Sequence, residues 1–126
     1  MNNTLLIGGL ANILVSVICI ALSVPLLRGM IKRNPWYGVR IRKAYVSEHR
    51  WREINRYGAK ALIGWCIPVL LIGLGMLGAS LMIPETQEED LMWIIPLSLA
   101  SLLTLGGLIQ TLIWSKDLPD SEGTRA

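Results

Sequence analysis

At 126 residues the chain has room for one domain. Its composition leans away from a soluble one: 52% of residues are apolar, 17% are charged and phenylalanine is absent, where soluble domains carry about a quarter charged residues. The net charge of +3 is too unevenly placed to signal nucleic-acid affinity, because 10 of the 12 lysines and arginines fall between Arg28 and Lys60.

The first apolar run, residues 4–27, contains no charged residue, and neither do residues 61–84 or 91–115. About 20 apolar residues cross the roughly 30 Å hydrocarbon layer as a helix, so each run is long enough, and none shows the polar face that a soluble bundle requires. These runs predict an all-α membrane protein with spans at about 4–31, 59–83 and 92–114 and no further domain. The first run is expected to stay uncleaved, since no Lys or Arg precedes it and the positive charge follows it instead.

Within span 1, Gly8, Asn12, Ser16, Cys19 and Ser23 recur at steps of three or four and so form one stripe of small and polar residues. Such stripes let helix backbones approach closely. Span 2 offers Gly64, Pro68, Gly75 and Ala79, with Gly78 beside them, and span 3 offers Ala100, Thr104, Gly107 and Thr111. Intramolecular packing of three helices accounts for all three faces; a leftover face would serve a second copy. Cys19 lies about 12 residues from the inner end of span 1 and Cys66 about 7 into span 2, a mismatch in depth that argues against a disulfide. No Asp, Glu, Lys, Arg or His lies inside a span, which argues against ion-coupled transport. Asn12 and Gln110 are the strongest polar groups there, each able to bond a neighbouring helix.

The connection between spans 1 and 2, residues 32–58, is basic, whereas "PETQEED" between spans 2 and 3 (loop 84–91) has four acids and no base. The positive-inside bias therefore places the N-terminus outside, the basic loop in the cytoplasm, the acidic loop outside and the tail, 115–126, in the cytoplasm. Trp36, Tyr37, Tyr45, Trp51, Tyr57, Trp65 and Trp114 gather at the inner interface and Trp93 at the outer one, as an aromatic belt would. The loop's cations are expected to hold anionic lipid of the inner leaflet.

The basic loop also has a grammar. "NPWYGVR" reads as a tight turn: Asn34 initiates it, Pro35 presets φ and Gly38 permits a positive φ. "VSEHRWREINRYG" reads as the start of a helix, with Ser47 as N-cap, Glu48 in the first turn and Val46 stapled onto Trp51. Trp51, Ile54, Asn55 and Gly58 share one face, while Arg50, Arg52, Glu53 and Arg56 spread over the rest, Glu53 pairing with Arg50 or Arg56. The expectation is a cytoplasmic turn followed by an interfacial helix that runs into span 2.

"NPWYGVR", then "SEHRW", then "NRYGAK" leading into a span resemble the signature of the SdpI family, bacterial membrane proteins named for an immunity protein against a sporulation-delaying toxin. Asn34, Tyr37, Gly38, Arg40, Ser47, Glu48, Trp51, Asn55, Arg56 and Gly58 fit that pattern, with Pro35 inside the turn. The family often has Pro and Thr after the arginine, where this chain has Arg42 and Ala44, and its founding type has additional N-terminal spans. The resemblance implies a multi-pass protein of the bacterial plasma membrane that protects against a peptide toxin, or signals by sequestering a cytoplasmic repressor. A small accessory subunit of a larger membrane complex is the other reading.

Arg40 is open to two roles: gripping a phosphate or carboxylate bidentately, or bonding backbone carbonyls that end helix 1. The second carries more weight. Arg42 and Lys43 are expected to act as point charges at the lipid surface and to tolerate exchange. With one His, no glycine-rich phosphate loop and no nucleophile beside a base, the sequence nominates no catalytic residue, metal site or cofactor, and an enzyme is not expected.

Overall fold

The computed structural model describes residues 1–84 and 90–120, with the backbone alone for residues 90–93, 96 and 97. The acidic loop beyond Pro84, the tail beyond Asp120 and the Trp93 side chain lie outside what is described. The described residues form α1 (Asn3–Leu27), a short 3-10 turn (Arg42–Tyr45), α2 (Glu48–Met82) and α3 (Asp90–Lys116), with no strand among them. Each of the three α-helices contains a stretch long and apolar enough to cross a bilayer. This is an all-α membrane protein with three spans, and α2 lies between α1 and α3, which barely touch one another.

Helix α1 is fixed at both ends by short-range chemistry. The Asn2 side chain accepts the Leu5 N–H at 3.0 Å, and the Asn2 N–H donates to the Ser80 carbonyl at 2.9 Å, tying the start of α1 to the end of α2. The other end stops at Leu27 rather than running on to residue 31, because Gly29 adopts a φ of 69°. The Gly29 N–H then donates to Leu26 O (3.1 Å) and the Met30 N–H to Pro25 O (3.0 Å), the paired bonds of a Schellman stop.

The small stripe of α1 packs as its spacing predicts. Gly8, Gly9, Asn12, Ser16 and Ser23 are buried and Cys19 half-buried. At the crossing with α2 a Cβ on Gly9 would lie 2.8 Å from the Gly73 carbonyl, so the two backbones are in direct contact. Beside it the Asn12 amide donates to the Met76 sulfur at 3.6 Å.

The packing face of α2 differs from the small-residue face read from the sequence. Gly64, Pro68, Gly75 and Gly78 are exposed, and α2 instead buries Cys66, Val69, Gly73, Met76 and Ser80. Those five recur at steps of three, four, three and four, a continuous seam. In lipid, Val and Met are as acceptable inside as outside, so smallness alone was a poor guide to which face packs. The face read for α3 is the one buried: Ala100, Gly107 and Thr111 meet α2, where a Cβ on Gly107 would stand 2.7 Å from Leu62 Cα.

Both cysteines are free, as expected, but the expected mismatch in depth is not found, since their side chains lie close enough to interact. Arg56, not residue 59, stands level with the end of α1, since its Nε donates to the Leu27 carbonyl. Counted from that level, Cys19 is eight residues along α1 and Cys66 ten along α2, nearly the same depth.

At 35 residues, α2 is about 52 Å long, well beyond the roughly 30 Å of hydrocarbon. Its first few turns therefore stand outside the apolar layer as a platform continuous with the span.

Candidate functional site: the turn and its platform

The turn at residues 34–40 is built from its own polar groups. Asn34 Oδ1 accepts the N–H groups of Trp36 (2.9 Å) and Tyr37 (2.7 Å), while its Nδ2 donates to the Lys32 carbonyl at 2.8 Å. Pro35 follows with its fixed φ, and Arg40 Nη1 donates back to the Pro35 carbonyl at 2.9 Å, closing the loop across its base. Gly38 has a φ of 113°, and a Cβ there would also collide with the Asn55 carboxamide, so glycine is required twice over. Arg40 thus bonds the turn itself; Arg56 takes the carbonyl at the end of α1.

The platform helix starts as its sequence predicts. Ser47 Oγ accepts the Arg50 N–H at 3.0 Å, and Glu48 sits in the first turn, 3.8 Å from Arg33. The expected staple is different: Val46 stays exposed, and Trp51 is covered by Ala44 and by the Tyr45 ring at a centroid distance of 5.4 Å. The 3-10 turn carries those two residues into place.

Three platform side chains then reach back to the chain leading out of α1. Trp51, fully buried, donates its indole N–H to the Ile31 carbonyl at 3.0 Å. Asn55 accepts the Val39 N–H at 2.5 Å and donates to the Trp51 carbonyl at 2.9 Å. Arg56 holds Leu27, as above, at 3.2 Å. On the other side the Tyr37 hydroxyl donates to the Leu22 carbonyl, so the turn is bonded to α1 and α2 at once. Behind it, Ala44, Trp51 and Ile54 form a small core with Val39, Ile41, Trp114 and Leu118.

Gly58 is the meeting point. A Cβ there would stand 2.9 Å from Val39 and 3.3 Å from Thr111, so the turn and α3 both lie directly on α2 at this residue. Between α1, α2, α3 and the turn lies a mostly apolar pocket of about 450 Å³, walled by Leu22, Leu26, Leu62 and Leu108 and edged by Tyr37 and Arg40. Of the residues singled out by sequence, Tyr37, Gly38, Arg40 and Gly58 line this pocket. Asn34, Pro35, Trp51 and Asn55 build the turn behind it, Arg56 fastens α1, and Ser47 and Glu48 start the helix away from it. Trp36, at the tip, is 86% exposed.

Two cations have places that sequence reasoning missed. Lys43 is no free point charge: its Nζ donates to the carbonyls of Lys116 (2.9 Å) and Leu118 (2.7 Å) and lies 3.4 Å from Asp120, capping the end of α3. Arg50, read as part of the polar face, is buried, with Nη1 on Glu53 at 3.1 Å and Nε unpartnered. The Lys43 contacts leave no local signal, since Lys116 and Leu118 are remote in the chain. The Arg50–Glu53 spacing was readable, but its burial was not. Among the described residues no group of His, Cys, Asp or Glu side chains is arranged to hold a metal ion.

Three apolar spans, the longest extending into a platform that carries a folded, bonded turn, define a multi-pass helical membrane protein with an ordered interfacial loop. A protein-family model described as the SdpI/YfhL protein family matches residues 30–110, from just before the turn to the last two turns of α3. That is more than half of the chain, and the chain belongs to this family. No curated protein and no solved structure matches it.

Proposed function

We propose that this chain is an SdpI-type immunity protein of the bacterial plasma membrane, which protects the membrane by engaging a peptide toxin at the pocket beneath the turn. The supporting observation is the construction of that pocket. Its apolar walls come from all three helices, its rim carries Arg40, and the turn that roofs it is immobilised by bonds to both α1 and α2. An apolar peptide segment ending in a carboxylate or polar backbone suits that combination of greasy wall and guanidinium rim. The turn faces the cytoplasm in this reading, so exposed Trp36 is also available to a cytoplasmic partner such as a repressor.

The test is survival of cells expressing the chain when challenged with the sporulation-delaying toxin peptide for which the family is named. Protection is expected from the wild type. Arg40→Lys, which keeps the charge and loses the planar fork, is expected to lose protection with only a small drop in thermal midpoint from the exposed bond to Pro35. Wild-type cells that die as readily as cells without the chain would sink the immunity reading.

A second reading, an accessory subunit of a larger membrane complex, is favoured by a different feature. Gly64, Gly75 and Gly78 of α2 have no neighbouring atom within 4 Å of where a Cβ would stand, leaving a face that another helix would fit. Co-purification in mild detergent, with identification of any stoichiometric companion, distinguishes the two.

A further inference from the structure

The other side of the α2–α3 contact carries a second cleft, which the turn does not use and no residue of α1 lines. At its basic end Arg52, Arg56 and Lys60 stand one turn apart along α2, all exposed. No described carboxylate pairs with them: the described ion pairs are Arg33–Glu48, Lys43–Asp120 and Arg50–Glu53. Glu53 borders the same cleft, but its carboxylate is held by Arg50. Arg56 commits one N–H to Leu27.

From the level of Arg56 and Lys60 up to Trp65, one turn beyond, the lining changes character. Tyr57 and Trp114 stack with centroids 4.0 Å apart and ring planes 7° from parallel. Gln110 joins the Trp65 indole N–H (2.7 Å) to the Tyr57 hydroxyl (3.2 Å), which forms a hydrogen-bonding sill across both helices. Beyond the sill the cleft turns apolar. It passes a notch at Gly64, where a Cβ would meet no atom within 4 Å, and continues to Pro68, with Trp65 seated on Gly106 as its wall. Cavities of about 490, 470 and 550 Å³ lie along this path, with Tyr57 lining all three.

Cations, then hydrogen-bonding aromatics, then an apolar channel is the order of groups along a phospholipid from phosphate to ester to acyl chain. We propose that this cleft binds one anionic diacyl phospholipid, its phosphate on Arg52, Arg56 and Lys60 and one acyl chain in the Gly64–Pro68 notch. A free anion would use only the cationic end and leave the channel without a role. A diffuse attraction between a basic surface and an acidic membrane is a different case, since it needs neither the sill nor the notch.

Native mass spectrometry of the full-length chain tests the site, with phosphatidylglycerol, phosphatidylcholine and glycerol phosphate as probes. One phosphatidylglycerol should stay bound where phosphatidylcholine does not. Arg52→Gln with Lys60→Gln should weaken it roughly thirtyfold, if each cation contributes as it does at an anionic surface. Gly64→Leu, which fills the notch and touches no charge, should weaken it as well. If that variant does not fold, the double substitution decides the matter against a control, Arg28→Gln with Lys32→Gln, which removes the same charge elsewhere and should leave binding unchanged. Equal retention of the two lipids, an equal loss in the control, or full competition by glycerol phosphate would each overturn the proposal.

Discussion

Asn55 accepts the Val39 N–H at 2.5 Å, and the same carboxamide donates to Trp51 one turn below. A single side chain therefore satisfies the backbone on both sides of the gap between turn and platform. Asn55→Ala leaves the Val39 N–H without its partner, a loss of about 1–3 kcal/mol for a part-buried donor. Gly38→Ala should cost at least as much, because the new Cβ faces both a strained φ and the Asn55 amide. The informative variant is the double one. Removing the carboxamide makes room for the Cβ, so thermal unfolding in detergent should show a smaller loss than the sum of the singles. Plain additivity would mean that the two residues do not meet as described.

The capping of α3 by Lys43 separates it from its neighbour. Lys43→Gln should free the last turn, seen as faster amide exchange over residues 114–118, whereas Arg42→Gln should leave those rates unchanged. Similar behaviour of the two variants would restore the point-charge reading made from sequence.

Cys19 and Cys66 report the register of α1 on α2. Mild oxidation of the purified chain should link them within one molecule, read as the loss of two hydrogens in the intact mass and as one cross-linked peptide after digestion. Failure to link under conditions that oxidise exposed thiols would mean that the helices sit at different depths.

The contrast between what the sequence revealed and what it hid follows the range of the interactions. Caps, stops and turns are local, so Ser47, Asn34 and Gly38 were legible at the positions where they act, and the three spans follow from solvent preference alone. The extra length read into helix 1 came from weighing hydropathy above Gly29. The packing face of α2 and the grip of Lys43 on α3 depend on residues remote in the chain. In lipid the usual sign of burial is missing as well, because an apolar side chain is comfortable on either side of a helix. The motif residues were all visible, but the pocket they edge was not, since a third of its lining is ordinary leucine contributed by all three helices.

Orientation is tested without reference to the fold. With Cys19 and Cys66 replaced by serine, single cysteines at positions 85–90 should react with a membrane-impermeant reagent in intact cells. Those at positions 118–124 should react only after permeabilisation. Labelling of the tail from outside would invert the arrangement and place the turn on the opposite surface.

Gly58 has one more consequence. Because it has no side chain, Val39 of the turn and Thr111 of α3 press on the same point of the α2 backbone from two directions. Nothing compressible stands between them. Any side chain here would have to push the turn and the third span off α2 together, so one substitution at Gly58 would disturb the pocket's edge and the helix packing at the same time.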